Sequence, residues 1–392
     1  MNENAWRQAR DILCVRLDHM GDVLMSTPAL RALRQSAPGR RITLLASSGG
    51  AAAAGGIAEV DDVIEYEASW MKSSGRQAPA VDLSMAESLR SRAFHAAVIF
   101  TTYSQSALPA ALLCHLADIP LRLAHCRENP YQLLTDWVRD PEPHDRIRHE
   151  VRRQLDLVAS VGCQTADERL SFRITEADAA WARRRLRAAG LDPARPWVLL
   201  HPGASAASRR YPAMLWMQVA CELALRTGYP LVFTGNTQEI TLVEEIRKGL
   251  AQPSISLAGE LDIGKLAAVI AEAPLIVSNN TGPVHLAAAV RTPIVDLYAL
   301  TNPQHTPWQV PSRVLYHMVP CRNCYQSICP LEHHDCMTKI APASVVDAAL
   351  ELIEEQSRIR QPAGIQGENW LERDGAEDPA GTPRQPHEGN DM

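Results

Sequence analysis

What most constrains this chain is an alternation that runs through it twice: short apolar runs of strand length, each followed by a stretch patterned for a helix. Ile12-Leu13-Cys14-Val15 reads as a buried strand. A polar loop from Arg16 to Gly21 follows, and Val23, Leu24, Leu30 and Leu33 then recur at helical spacing. Ile42-Thr43-Leu44-Leu45, Val63-Ile64-Glu65-Tyr66 and Ala97-Val98-Ile99-Phe100 read as further strands, the last preceded by a helical stretch from Met85 to Arg92. Such alternation predicts a parallel sheet with helices on its faces. Gly49 to Gly56 and Trp70 to Pro79 read as loops, and the proline- and charge-rich Asn129 to His149 as an irregular excursion.

The second series opens with a helix from Glu176 to Ala189, stopped by Gly190 at its C-terminal cap. Trp197-Val198-Leu199-Leu200 is strand-like and runs into the loop His201-Pro202-Gly203-Ala204-Ser205. A helix from Leu215 to Arg226, a strand Leu231-Val232-Phe233 with Gly235 at its turn, and strands at Leu275-Ile276-Val277 and Pro293 to Leu297 complete the unit. Ala343 to Glu355 reads as a closing helix. A length of 392 residues suits more than one core. The expectation is an α/β protein of two Rossmann-like domains, 1–175 and 176–355, whose parallel sheets face each other across a cleft. From Gln356 the chain is rich in Pro, Gly and Glu, so 356–392 is expected to be a disordered tail.

The net charge of −6 gives no support to nucleic acid as a partner. The basic clusters Arg183-Arg184-Arg185 and Arg146 to Arg153 read first as solvated helix faces, with contact to an anionic membrane surface as the alternative. No apolar segment precedes Asp11, and no run approaches the roughly 18 apolar residues of a spanning helix, which predicts a cytoplasmic protein. Of nine cysteines, Cys14, Cys114, Cys126, Cys163 and Cys221 sit in apolar or helical surroundings and read as reduced core residues.

Three loops carry candidate chemistry. In open α/β sheets, ligands gather beyond the carboxyl ends of strands, where loops meet helix starts. The first loop is Arg16-Leu17-Asp18-His19-Met20-Gly21-Asp22. Asp22 has two readings, a cap for the next helix or a carboxylate that faces a cleft and takes a proton from a hydroxyl. Asp18 competes for the second role. In the next loop, Gly203, Ala204 and Ser205 permit close approach to an anion, and Arg209 and Arg210 supply positive charge. The third is Asn279-Asn280-Thr281-Gly282-Pro283-Val284-His285, where free N–H groups at a helix start would hold an anion. His285 either faces the same ligand or is a satisfied core histidine.

Taken in order, Gly21-Asp22 with Thr27-Pro28-Ala29-Leu30, His201 to Ser205, Arg210-Tyr211-Pro212 with Trp216, Gly235 with Glu239, Thr281-Gly282 with His285-Leu286-Ala287, and Thr301-Asn302-Pro303 form a specific pattern. It resembles glycosyltransferase family nine, the ADP-heptose:lipopolysaccharide heptosyltransferases, from about Ile12 to Ile353. The resemblance implies a GT-B fold, with acceptor on the N-terminal domain and donor mainly on the C-terminal one, and inversion in a single displacement. The family's general-base aspartate falls on Asp22, its donor-binding lysine near Arg209, and its ribose-binding glutamate on Glu239. Its Asp-[Ser/Thr]-Gly-x-x-His signature falls on Asn280, Thr281, Gly282 and His285. Ser205 and Arg210 join this expected donor set, while Arg16, Asp18 and His19 fall on the acceptor side, with Asn129 to His149 nearby. Asn280 and Arg209 depart from the family's usual aspartate and lysine.

The implied partners are a nucleotide-diphosphate sugar and a lipopolysaccharide-type acceptor, with peripheral contact at the cytoplasmic face of the inner membrane. No Asp-x-Asp pair occurs, so no cofactor is expected in catalysis, and positive groups would neutralise the departing diphosphate. Asn280 keeps open a catalytically altered sugar-nucleotide binder, or a transferase with another nucleotide sugar. A dinucleotide oxidoreductase or epimerase lacks its Gly-x-Gly-x-x-Gly loop here. Cys321-x2-Cys324-x4-Cys329-x6-Cys336 has the ligand types of a structural zinc site, without a standard spacing.

Overall fold

The apolar runs do form strands, and every strand pairing is parallel. The computed structural model describes residues 3–72, 77–192 and 195–360. In the first sheet the strands are β1 (Asp11–Arg16), β2 (Arg41–Ala46), β3 (Asp62–Glu65), β4 (Ala96–Ile99), β5 (Leu121–Cys126) and β6 (Asp136–Arg139). The second contains β7 (Val198–His201), β8 (Leu231–Phe233), β9 (Ser254–Ser256), β10 (Ile276–Asn279), β11 (Ile294–Leu297) and β12 (Ser312–Leu315). Their spatial orders are β3-β2-β1-β4-β5-β6 and β12-β11-β10-β7-β8-β9. Read from its first strand outwards, each half therefore has the same doubly wound order, with a switch point between β1 and β4 and between β7 and β10.

Both faces of both sheets are covered, which is why the strands read as continuous apolar runs. Leu13 and Val15 pack into a core on one side of the first sheet. Ile12 and Cys14 point the other way, into a cluster that continues through Val284 and Leu286 to Leu199 and Ile276 of the second sheet. Val198 and Leu200 face a third core, closed by Val345, Val346, Ala349 and Leu352.

Several expectations are corrected. Ser48–Ala54 is a helix, not a loop: the Ser47 hydroxyl accepts the Gly50 N–H at its start. A side chain at Gly50 would lie 3.0 Å from the Asp18 carbonyl oxygen and from Val23, so the glycine lets this helix pack closely there. Pro79 opens the helix Pro79–Ser91, and residues 73–76 of the expected loop lie outside the described residues. Asn129 to His149 contains β6. Like β9, β6 is a polar edge strand that shows no apolar run to a reader of sequence. The final helix runs Pro342–Arg360, past the expected start of the tail at Gln356. Arg313 on β12 ion-pairs with both Glu351 and Glu355, which ties that last stretch down. The remainder of that expectation, 361–392, lies outside the described residues.

The basic cluster around Arg153 is no solvated face. Arg153 is buried, 2.8 Å from Asp140 and 2.6 Å from Glu142, and Arg148 bridges Glu142 at 2.8 Å and Asp156 at 2.9 Å. Arg183 and Arg185 make outer ion pairs with Glu272 and Glu260.

Candidate active site between the two sheets

At the tip of β1 a single guanidinium gathers three carboxylates. Arg16, fully buried, lies 3.0 Å from Asp18, 2.8 Å from Glu150 and 3.3 Å from Asp22. Its partners are held differently. Burial, helped by the neighbouring Asp22 charge, raises the Asp18 pKa against the pull of Arg16, and burial raises that of Glu150 as well. At Asp22, burial pushes upward too, but the charge of Arg16, first among several pulls, outweighs it and holds the carboxyl below its ordinary range. Of the three, Asp22 is the one whose ionised form its surroundings favour. Asp18 turns its Oδ1 to Gln105, 2.6 Å away, and lines a separate small cavity beside Trp70 and Met71. Asp22 does not cap its helix: the N-cap is His19, and the helix Met20–Met25 has no side-chain cap bond.

At the tip of β7, His201 is fixed by Thr234, 3.0 Å from its Nδ1, and burial lowers its pKa. The chain then makes a tight turn at Ala207–Arg209. The turn is braced from outside: Ser208 donates its N–H to the Ser327 carbonyl and its hydroxyl to that of Gln326. Arg209 lines the cleft and, among the described residues, has no ion pair or side-chain hydrogen bond. Arg210, expected beside it, folds back, its Nε donating to the Ala204 carbonyl at 2.8 Å. Glu239 lines the cleft while its Oε2 accepts the Asn236 N–H at 2.8 Å.

The tip of β10 completes the site. Asn279 links two loops, donating to the Pro202 carbonyl at 2.7 Å and accepting the Tyr211 N–H at 3.3 Å. Thr281 is the extended residue before the helix Gly282–Val290, without a side-chain cap bond. Pro283 has no N–H and Val284 donates its own to the Thr281 carbonyl, so of the first three residues only Gly282 has an N–H uncommitted among the described residues at this end of the cleft. Asn280 does not face it. Its amide donates to Asp296 Oδ2 at 2.8 Å and to the His305 carbonyl at 3.0 Å. Burial pushes the Asp296 pKa up to about 8. The two domains touch here through their glycines. A side chain on Gly21 would meet the His285 ring at 2.7 Å, and one on Gly282 would meet Met20 at 2.2 Å.

A cleft of about 410 Å³ collects His19, Asp22, Ser205, Arg209, Glu239, Thr281, Gly282 and His285. Arg16, Asp18, Arg210 and Asn280 stand behind or beside that lining. The wall also includes His305, which sequence reading passed over. The signal was available: it lies on the loop after an apolar strand, just beyond Thr301-Asn302-Pro303.

Cys321, Cys324, Cys329 and Cys336 line one small cavity with His333, whose Nε2 is 3.5 Å from Cys321 Sγ. Among the described residues no group of three or more His, Cys, Asp or Glu side chains is arranged to hold a metal ion, so the zinc expectation gains no support. The segment packs onto Ser208 and so steadies the Arg209 turn.

Two parallel-sheet domains of matching winding, with loops from both converging on one cleft, define an α/β protein of GT-B type. Over residues 83–334 the chain matches glycosyltransferase family 9 (heptosyltransferase), and it belongs to that family. It is 32% identical over 160 residues to lipooligosaccharide heptosyltransferase 2 of Campylobacter jejuni, a match covering 39% of this chain and 50% of that protein. The chain thus spans about half the length of that curated relative. Lipopolysaccharide heptosyltransferase 2 of Salmonella typhimurium is 25% identical over 364 residues, covering 88% of this chain and 99% of that one. The solved structure of E. coli ADP-heptose lps heptosyltransferase II superposes with a TM-score of 0.69 at 23% identity, covering 88% of this chain and 99% of that one.

Proposed function

We propose that the chain is an inverting glycosyltransferase that moves heptose from an ADP-heptose-like donor onto a lipopolysaccharide core acceptor without a metal. The observation carrying this reading is a carboxylate whose ionised form its surroundings favour, Asp22, in one cleft with the guanidinium of Arg209, which has no ion pair among the described residues, and the helix start at Gly282. In this reading Asp22 accepts the proton of an acceptor hydroxyl as that oxygen bonds to the anomeric carbon. The bond from that carbon to the donor diphosphate breaks on the opposite side, and the diphosphate leaves with the electron pair. Arg209, the Gly282 N–H and the positive end of its helix offset its charge. Glu239, whose Oε1 makes no hydrogen bond among the described residues, is suited to ribose hydroxyls. Domain 1–175 holds the acceptor and 176–355 the donor. The relatives' names supply the sugar and the acceptor.

Work on the cytoplasmic face of the inner membrane belongs to the same reading. Among the described residues no helix is long and apolar enough to cross a membrane. The binder alternative rested on Asn280, and its amide faces Asp296 and a backbone carbonyl instead of the cleft.

The test is Asp22→Asn, read as ADP release with and without acceptor beside donor binding by calorimetry. Transfer should fall by roughly a hundredfold or more, the scale of a lost general base, with the donor still bound. Wild-type turnover would remove Asp22 from the role. A preference for uridine or guanosine donors would redirect the substrate assignment.

A further inference from the structure

After β11 the chain crosses from the second domain onto the first. The Gln304 carbonyl accepts the N–H of Glu150, His149 Nε2 lies 2.9 Å from the Thr306 carbonyl, and Trp308 donates its indole N–H to the Glu168 carbonyl at 2.7 Å. Trp308 also stacks against His149, ring centres 4.4 Å apart. Between these anchors His305 hangs into the cleft. Its backbone is gripped on both sides, the N–H by the Tyr298 hydroxyl at 3.3 Å and the carbonyl by the Asn280 amide at 3.0 Å. Its Nε2 is buried, has no hydrogen-bond partner among the described residues, and lies 3.9 Å from Asp22 Oδ1.

We propose that His305 is a positioning residue for Asp22, donating its Nε2 hydrogen to Oδ1 so that Oδ2 is presented to the acceptor hydroxyl. This rests on Asp22 being the base. Arg16 also addresses Oδ1, from 3.3 Å, and Oδ2 makes no hydrogen bond among the described residues. Two donors on one oxygen fix the carboxylate's rotation and leave the other oxygen's lone pairs free. The groups facing His305 are Asp22, His285, Arg209 and Arg16. Burial keeps the imidazole neutral, pushing its pKa down to about 3 although Asp22 pulls upward. A neutral imidazole opposite a carboxylate settles in the tautomer with hydrogen on the facing nitrogen. The 3.9 Å separation exceeds a hydrogen bond by about 1 Å, a gap that closes when ligands draw the domains together.

The same geometry accounts for the amide at position 280. Its nitrogen donates to both Asp296 and the His305 carbonyl, and an ionised carboxylate there would have no hydrogen to give.

The experiment compares His305→Ala, His305→Gln and Asn280→Asp with Asp22→Asn in steady-state transfer assays across pH, using purified full-length protein, ADP-heptose and a lipid A–core acceptor. His305→Ala should lower kcat roughly tenfold to a hundredfold, the scale of one hydrogen bond to a charged group, with donor KM unchanged. It should also move the acid limb of the kcat/KM profile to higher pH, because Asp22 loses a donor that favours its ionised form. His305→Gln, which keeps an N–H within reach, should recover part of kcat and hold the acid limb nearer its wild-type place, and Asn280→Asp should follow His305→Ala. An unchanged kcat and acid limb in both His305 variants, beside an inactive Asp22→Asn, overturns the positioning role and leaves the base assignment standing. A raised donor KM with normal kcat makes His305 a donor contact, which also overturns it. Activity in Asp22→Asn defeats the reading beneath both.

Discussion

At the scale of single residues, the site is a set of ionisable groups whose pKa values burial and neighbours push in different directions. Asp296 illustrates the cost. It is fully buried, its Oδ1 has no partner, and its pKa stands near 8 against 3.8 for an ordinary aspartate. A pKa raised on folding leaves stability intact at low pH and removes it as pH climbs from the unfolded value to the folded one. The wild type should therefore lose melting temperature between about pH 5 and about pH 8. Asp296→Asn should lose less across that window, and parallel curves for the two proteins would show that Asp296 does not titrate there. Much of this scale was legible in the chain. Strand-end loops rich in small residues located Asp22, Ser205, Arg209, Thr281, Gly282 and His285, all of which line the cleft. Sequence could not say which of two neighbouring aspartates faces inward, because that depends on Gln105, far away in the chain, taking Asp18. Nor could it separate Arg209 from Arg210, since one turn of backbone decides which guanidinium lines the cleft and which folds back on nearby carbonyls.

At the scale of elements, apolar runs foretold most central strands and the edge strand β3, while β5 and the edges β6, β9 and β12 were missed: an edge strand needs no apolar run, and Arg122 and His125 interrupt the one in β5. β6 carries buried Asp136, whose carboxylate accepts the Trp6 indole N–H at 3.0 Å, a contact between distant parts of the chain. The loop after β6 is fastened beneath the helix Glu150–Ala159 by Arg153, which also donates to the Thr101 carbonyl at 2.9 Å. Removing one member of such a buried pair leaves charges without compensation. Arg153→Ala should cost about 3–5 kcal/mol in urea unfolding. A loss below about 1 kcal/mol, the scale of a surface pair, would mean water reaches Asp140 and Glu142 without strain.

At the scale of the whole molecule, two sheets of identical winding share one apolar cluster, reaching from Ile12 and Leu30 to Leu199 and Ile294. Separating the halves would expose that surface, which couples their unfolding. Scanning calorimetry should record one transition, and two well-resolved ones would mean that the halves melt independently. Twin domains were expected from the doubled alternation, whereas their shared cluster was not, because periodicity tells which face of an element is apolar and not what will cover it. The crossing from β11 onto the helix start at Glu150 has a thermodynamic corollary. A main-chain bond and a bond from the His149 ring there tether the wall that carries Arg209 to the wall that carries Asp22, so a molecule gripping either wall is expected to change the grip available to one on the other. Such coupling is reciprocal: whatever factor a ligand on one wall adds to the affinity of a ligand on the other, the second returns in full.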